Sequence, residues 1–161
     1  MLPTEMSMPR HQIRFYGPFN LHALLEGVKK FLDDRQYEFK ETFKMKKGGE
    51  GWKFETDWEG NLKVTHFVKK DIAIYFLIME IKDVEVVVDG KKQKLQHGRG
   101  IIDIDGNIEF GWQQFWPEWF TRFFLTYFYK EKFWGKWVDG HWYEVQDLAA
   151  LIRQLLNFEV K

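Results

Sequence analysis

Residues 37–64 read YEFKETFKMKKGGEGWKFETDWEGNLKV, and their period decides the fold. Tyr37, Phe39, Phe43 and Met45 alternate with Glu38, Lys40, Thr42 and Lys44. Past the glycines, Trp52, Phe54, Thr56 and Trp58 alternate with Lys53, Glu55, Asp57 and Glu59. A period of two sends each set to its own side of a pleated strand. The stretch therefore predicts a strand, a turn at Gly48-Gly49-Glu50-Gly51 and a second strand, apolar on one face only. Such a sheet must bury that face against something else.

Toward the C-terminus the alternation continues. Glu59-Gly60-Asn61 predicts a turn, and Leu62, Val64 and Val68 begin a further strand. Ile72 to Met79 is apolar in both phases, as in a central strand covered on both faces. Asp89-Gly90 and Asp105-Gly106 are two-residue hairpin signals. Val84, Val86 and Val88 precede the first, and Ile102, Ile104, Ile108, Phe110 and Trp112 surround the second. The middle of the chain reads as an antiparallel meander of about six strands.

Helical periods flank the meander. Residues 1–10 read as a flexible leader, and His11 to Tyr16 as an edge strand ending at Gly17-Pro18. Asn20 stands where an N-cap belongs, followed by Leu21, Leu24, Leu25, Val28, Phe31 and Leu32 at helical spacing. Beyond Gln114, Pro117 suits a first helical turn. Trp116, Trp119, Phe120, Phe123, Phe124, Tyr127 and Phe128 form one apolar stripe there. Gly135 and Val138-Asp139-Gly140 interrupt it, and a last helix begins near Trp142, burying Val145, Leu148, Ala149, Ile152, Leu155 and Leu156. The fold class is α+β: strand and helix, then a curved antiparallel meander, covered by two C-terminal helices, as one domain over 11–161.

This order resembles the helix-grip superfamily of Bet v 1 and START-like proteins, in which a curved antiparallel sheet wraps a long C-terminal helix. The glycine turn at residues 48–51 falls where a glycine-rich loop falls in Bet v 1 relatives. The order differs in having one helix rather than two after the first strand, and two rather than one at the end. The resemblance implies an apolar cavity between sheet and helix.

Composition narrows the function. A chain of 161 residues suffices for one sizeable core. Its 24 basic and 24 acidic residues leave no net field to steer it onto nucleic acid. Lysines at 44, 46, 47, 91, 92 and 94 gather beside turns and read as guards against strand pairing. The chain has no cysteine, which excludes disulfides and thiolate chemistry and favours a cytoplasmic address. The leader lacks the apolar run of a signal peptide. The longest apolar run, Ile72 to Met79, falls short of the ~20 residues of a membrane span.

No catalytic signature stands out. Ser7, in the leader, is the only serine. Asp103-Ile104-Asp105-Gly106-Asn107 lacks the distal glutamate of a calcium loop, with Gln114 at that place. The pairs His22 with Glu26 and His141 with Glu144 have metal-ligand spacing but read as surface pairs, so no metal or cofactor is expected.

Polar residues in an apolar phase are more informative. Glu41 shares the side of Tyr37 and Phe39, His66 that of Leu62 and Val64, and Glu80 that of Ile74 and Ile78. An unpartnered buried charge is costly. Each therefore marks a strand end, an ion pair or a polar contact in a pocket. Glu41, Thr56, His66, Glu80, Trp112, Trp119, Phe123 and Tyr127 form the candidate ligand-binding set, with no catalytic residue assigned.

The aromatic load, 16 Phe, 8 Trp and 6 Tyr, exceeds what one core of this size needs. The leading expectation is a non-enzymatic module that holds a hydrophobic or lipid-like small molecule between sheet and C-terminal helices. The alternative is an assembly or membrane-peripheral protein whose aromatics, Trp116, Trp134 and Trp137 among them, meet a second copy, another protein or a bilayer. A third reading, a cyclase- or hydrolase-like enzyme, requires His66 to meet Glu41 or Glu80.

Overall fold

The computed structural model describes residues 3–48 and 51–156. It is an α+β fold built on a curved antiparallel sheet of six strands. The elements run β1 (Glu5–Ser7), β2 (His11–Phe19), α1 (Leu21–Asp34), β3 (Glu38–Gly48), β4 (Gly51–Lys63), β5 (Val68–Val88), β6 (Lys91–Phe110), α2 (Glu118–Phe128) and α3 (Asp139–Leu155). Strands β3 to β6 lie side by side in chain order, and both β1 and β2 pair with β6 at the far edge. Helix α1 thus links β2 at one edge to β3 at the other.

The strands obey the alternation legible in sequence. Phe54, Thr56 and Trp58 of β4, Ile72, Ile74, Phe76 and Ile78 of β5, and Ile102 and Ile104 of β6 are buried on one face. Leu24, Val28, Phe31 and Leu32 of α1 and Val145, Leu148, Ala149 and Ile152 of α3 join them in the main core. Trp58, Phe19 and Phe76 are at most 2% exposed, so the protein's own rings occupy the space between sheet and these two helices. Asn20 caps α1 as expected, its side chain accepting a hydrogen bond from the Ala23 amide at 3.0 Å.

A second core covers the end of the same face. Val68, Ile108 and Phe110 meet Met8, Leu125 of α2, and Phe133, Trp137 and Val138. The last three lie in a π-helical segment, Lys132–Val138, that runs directly into α3. Gly135 and Gly140 were expected to separate two helices; both instead sit within this continuous helical run, where a Cβ would meet nothing within 4 Å.

Three further expectations are corrected. Part of the leader is strand: Glu5, Met6 and Ser7 pair with Glu109, Ile108 and Asn107, a ladder too short for its alternation to show in sequence. Glu59-Gly60-Asn61 is no turn, since Gly60 lies within β4 between Phe39 and Ile72. The chain reverses instead at Val64 to Val68, where the Thr65 hydroxyl accepts from the amides of Phe67 and Val68. Asp105-Gly106 is no hairpin either. Asp105 pairs with Ala73 in mid-strand, and Gly106 is buried below α3. Asp89-Gly90 does turn the chain, with φ of 53° and 78°. Of the glycine turn at 48–51, Gly48 pairs with Gly51, while residues 49 and 50 lie outside the described part.

Gly106 serves close approach. A Cβ there would lie 2.7 Å from Val145 Cγ2 and 3.1 Å from Met8 Cγ. Gly106→Ala should therefore destabilise the fold by about 1–3 kcal/mol through overpacking. In urea unfolding, the same substitution made in a Val145→Ala background should cost less than half as much; equal costs in both backgrounds would refute the steric account.

Candidate functional site

Two features beyond the core have functional character: the aromatic face of α2 and a polar seam beneath α3. The first follows from where β6 ends. Gly111, at φ 71°, turns the chain out of the sheet, and its amide donates to Phe67 O at 2.6 Å. Pro117 then opens α2, its carbonyl accepting from the amides of Phe120 and Thr121. The fixed proline φ suits that position, and its missing N–H leaves no helix donor orphaned.

Helix α2 buries only Thr121 and Leu125. Phe115, Trp116, Trp119, Phe123, Tyr127 and Phe128 are between 39% and 76% exposed. They form a continuous ring surface: Trp116 and Trp119 pack edge-on against Phe120, which stacks on Phe123, which in turn touches Tyr127 and Phe128. Exposed Arg122, Lys130, Lys132 and Lys136 accompany it, Arg122 bonded to Glu118 at 2.6 Å.

At the foot of this face a cleft of about 220 Å³ is lined by Phe67, Gly111, Phe115, Trp116 and Thr121, with His66, Gln113 and Gln114 at its rim. Gln113 Nε2 lies 3.4 Å from His66 Nδ1. A wider cleft of about 720 Å³ shares Gly111, Gln114, Phe115, Trp116 and Thr121 with it and extends to Glu5, Glu109 and Glu118.

The polar seam lies between the two cores. Lys70 follows Val68 in the inward phase and meets Glu144 of α3 at 3.5 Å, with both side chains largely buried. His141, read from sequence as half of a surface pair with Glu144, is instead fully buried, one ring nitrogen 3.0 Å from Asp71 O and the other without a partner among the described residues. Among the described residues, neither the Tyr37 hydroxyl nor Glu144 Oε1 has a hydrogen-bond partner of good geometry. Burial, reinforced by the nearby Glu144 charge, holds the Tyr37 hydroxyl far above its ordinary range. Burial likewise lowers His141 despite its bond to Asp71 O, so the ring is kept neutral.

The candidate residues named from sequence are dispersed. Glu41 lies on the edge strand and pairs with Lys29 of α1 at 3.1 Å. Thr56 is buried and donates to Thr42 O at 2.7 Å. His66 is exposed in the β4–β5 turn. Glu80 sits at a bulge with φ 59°, where β5 takes an extra residue between Met79 and Lys82, and it pairs with Arg99 at 3.4 Å. The bulge reverses the phase, so Ile81 turns inward where Glu80 was expected. Glu41, His66 and Glu80 thus each hold a separate partner, and the convergence required for a His/Glu enzyme does not occur.

Trp112 donates its indole N–H to Thr65 O at 2.9 Å, beside His66, and Lys63 lies over its ring. Trp119, Phe123 and Tyr127 share the outer face of α2. Trp137, expected to face a partner, is instead 8% exposed in the second core and donates to the Tyr129 hydroxyl at 2.9 Å. The Trp134 side chain lies outside the described part. Sequence reasoning passed over Lys70, although its phase with Val68 and Ile72 was the available signal.

Among the described residues no group of three or more acidic or histidine side chains has metal-binding geometry, and no helix is long and apolar enough to cross a membrane. No protein-family model matches the chain, and no curated protein matches it in sequence.

The neutral His141 ring makes stability depend on pH. The unfolded chain takes up this proton near the ordinary value of 6.5 and the folded chain only lower, so the folded state loses ground as pH falls below 6.5. Wild type should therefore lose more unfolding free energy between pH 7.5 and 5.5 than His141→Gln does, measured by urea titration. Parallel losses would show that His141 does not carry the effect.

Proposed function

We propose that this protein is a non-enzymatic interaction module whose working surface is the aromatic face of α2. One observation carries the reading: large rings stand in solvent on a helix whose own buried stripe is only Thr121 and Leu125. Monomeric proteins rarely expose contiguous apolar patches beyond a few hundred Å², and larger ones mark contact with a protein, membrane or ligand. The main core is complete without these rings, so their exposure is not needed to finish the fold. A hydrophobic ligand between sheet and α1 or α3 would have to displace Trp58, Phe76 and their neighbours, which makes the outer face the better-supported contact.

The 220 Å³ cleft favours a second reading, capture of an apolar small molecule beside Trp116. It is somewhat larger than an engineered 150 Å³ cavity known to hold benzene. Native mass spectrometry of protein taken directly from cells should then show a bound mass that Thr121→Phe removes; its absence from wild type would end this reading.

For the main reading, Trp119→Ser, Tyr127→Ser and Phe128→Ser combined should leave the melting temperature within about 3 °C of wild type, because exposed positions contribute little to stability. The same variant should lose most of the fluorescence enhancement that native wild type gives with anilinonaphthalene sulfonate. A fall in melting temperature beyond about 10 °C would place these rings in the core and overturn the proposal.

A further inference from the structure

We infer that the occupant of the α2 face is the headgroup and upper acyl region of an anionic bilayer, in which α2 lies parallel to the membrane plane. This rests on the preceding reading of α2 as the working surface and names its partner. Three observations select a lipid interface.

The first is the chemistry of the exposed side chains. Trp116, Trp119 and Tyr127 combine an apolar body with a polar tip, the amphipathic type enriched where headgroups meet acyl chains. Phe123 and Phe128 extend the same surface, and the one aliphatic side chain of α2, Leu125, is turned inward.

The second is form. The rings project into solvent from a helix that buries only two residues, with clefts confined to its N-terminal end around Trp116. A fluid layer closes around projecting rings, whereas a protein partner must supply a matching surface. At 11 residues α2 cannot cross the hydrocarbon core, which leaves an in-plane arrangement.

Charge is the third. Glu5, Glu109 and Glu118 stand beside Trp116 at the N-terminal end of α2, whereas past its C-terminal end the cations Lys130, Lys132 and Lys136 outnumber the single carboxylate Glu131 before residue 139. Arg122 is already paired with Glu118; Lys130, Lys132 and Lys136 are exposed, Lys132 lying over the Tyr129 ring and Lys136 over Trp137. Exposed lysines that follow an aromatic helix complement anionic headgroups.

The test is co-sedimentation of the full chain with large unilamellar vesicles, either phosphatidylcholine alone or phosphatidylcholine with 30% phosphatidylglycerol. Wild type should pellet with the mixed vesicles, shift its tryptophan emission to the blue, and be quenched more by lipids brominated near the headgroup than near the chain terminus. Lys130→Gln, Lys132→Gln and Lys136→Gln combined should weaken partitioning onto mixed vesicles about tenfold or more, with little change on neutral ones. The combined serine variant at 119, 127 and 128 should abolish it.

Failure of wild type to bind either vesicle, or binding untouched by the serine variant, would overturn the bilayer inference. If wild type ignores vesicles while the serine variant still removes dye binding without unfolding, the α2 surface stands and its partner is a protein. If the serine variant also leaves dye binding intact, both readings fall.

Discussion

Burial of the inner face of β5 and β6 is the interaction from which the other features follow. Fully burying one aliphatic or aromatic side chain contributes roughly 1.5–3 kcal/mol, and these two strands alone turn Val68, Ile72, Ile74, Phe76, Ile78, Ile102, Ile104, Ile108 and Phe110 inward. Strands this long present more apolar length than one helix can cover. Helices α1 and α3 cover the middle, and the π-helical segment with Leu125 covers the end. The demand for cover explains why the C-terminal region continues past α2 through Gly135 and Gly140 without leaving the sheet. Close approach then matters more than chain reversal at Gly106, which lies beneath Val145.

The seam of Lys70, His141, Glu144 and Tyr37 follows from the same demand. It falls where the cover passes from one helical segment to the next, and α3 brings His141 and Glu144, one helical turn apart, down onto β5. Removing one member of a buried ion pair leaves an unpaired charge and is strongly destabilising, whereas an apolar replacement of both can be neutral. The seam is therefore poor evidence for stabilisation. It does constrain alignment, because Lys70 reaches Glu144 and His141 reaches Asp71 O in only one setting of α3 against β5.

Legibility in the sequence tracked the range of the interactions involved. Helix α1 was readable because its stripe and its cap, Asn20 to Ala23, are local. The alternation of β3 and β4 was equally plain. Asp105-Gly106 misled because the same dipeptide serves a turn or a mid-strand approach, and only Val145, distant in sequence, decides between them. Glu80 misled because a bulge shifts phase without altering composition on either side. Of the residues named from sequence, Trp119, Phe123 and Tyr127 lie together on the outer face of α2, and His66 and Trp116 line the cleft at its foot. That helix was evident, but which of its faces met the sheet depended on long-range contacts of Thr121 and Leu125.

The aromatic surplus divides along that same boundary. Phe133 and Trp137 already complete the second core over Phe110 and Val68, and Phe67 closes it against Phe124 and Tyr129. The remaining rings of α2 can reach the sheet only by displacing residues already packed there. A helix in this position would ordinarily carry lysine and glutamate on its outer side, which would serve the fold equally well and avoid leaving apolar area in water. Trp119, Phe123, Tyr127 and Phe128 stand there instead, touching the domain through neighbouring rings such as Phe120 and Phe124, and the proposed contact surface rests on a scaffold whose interior is already closed.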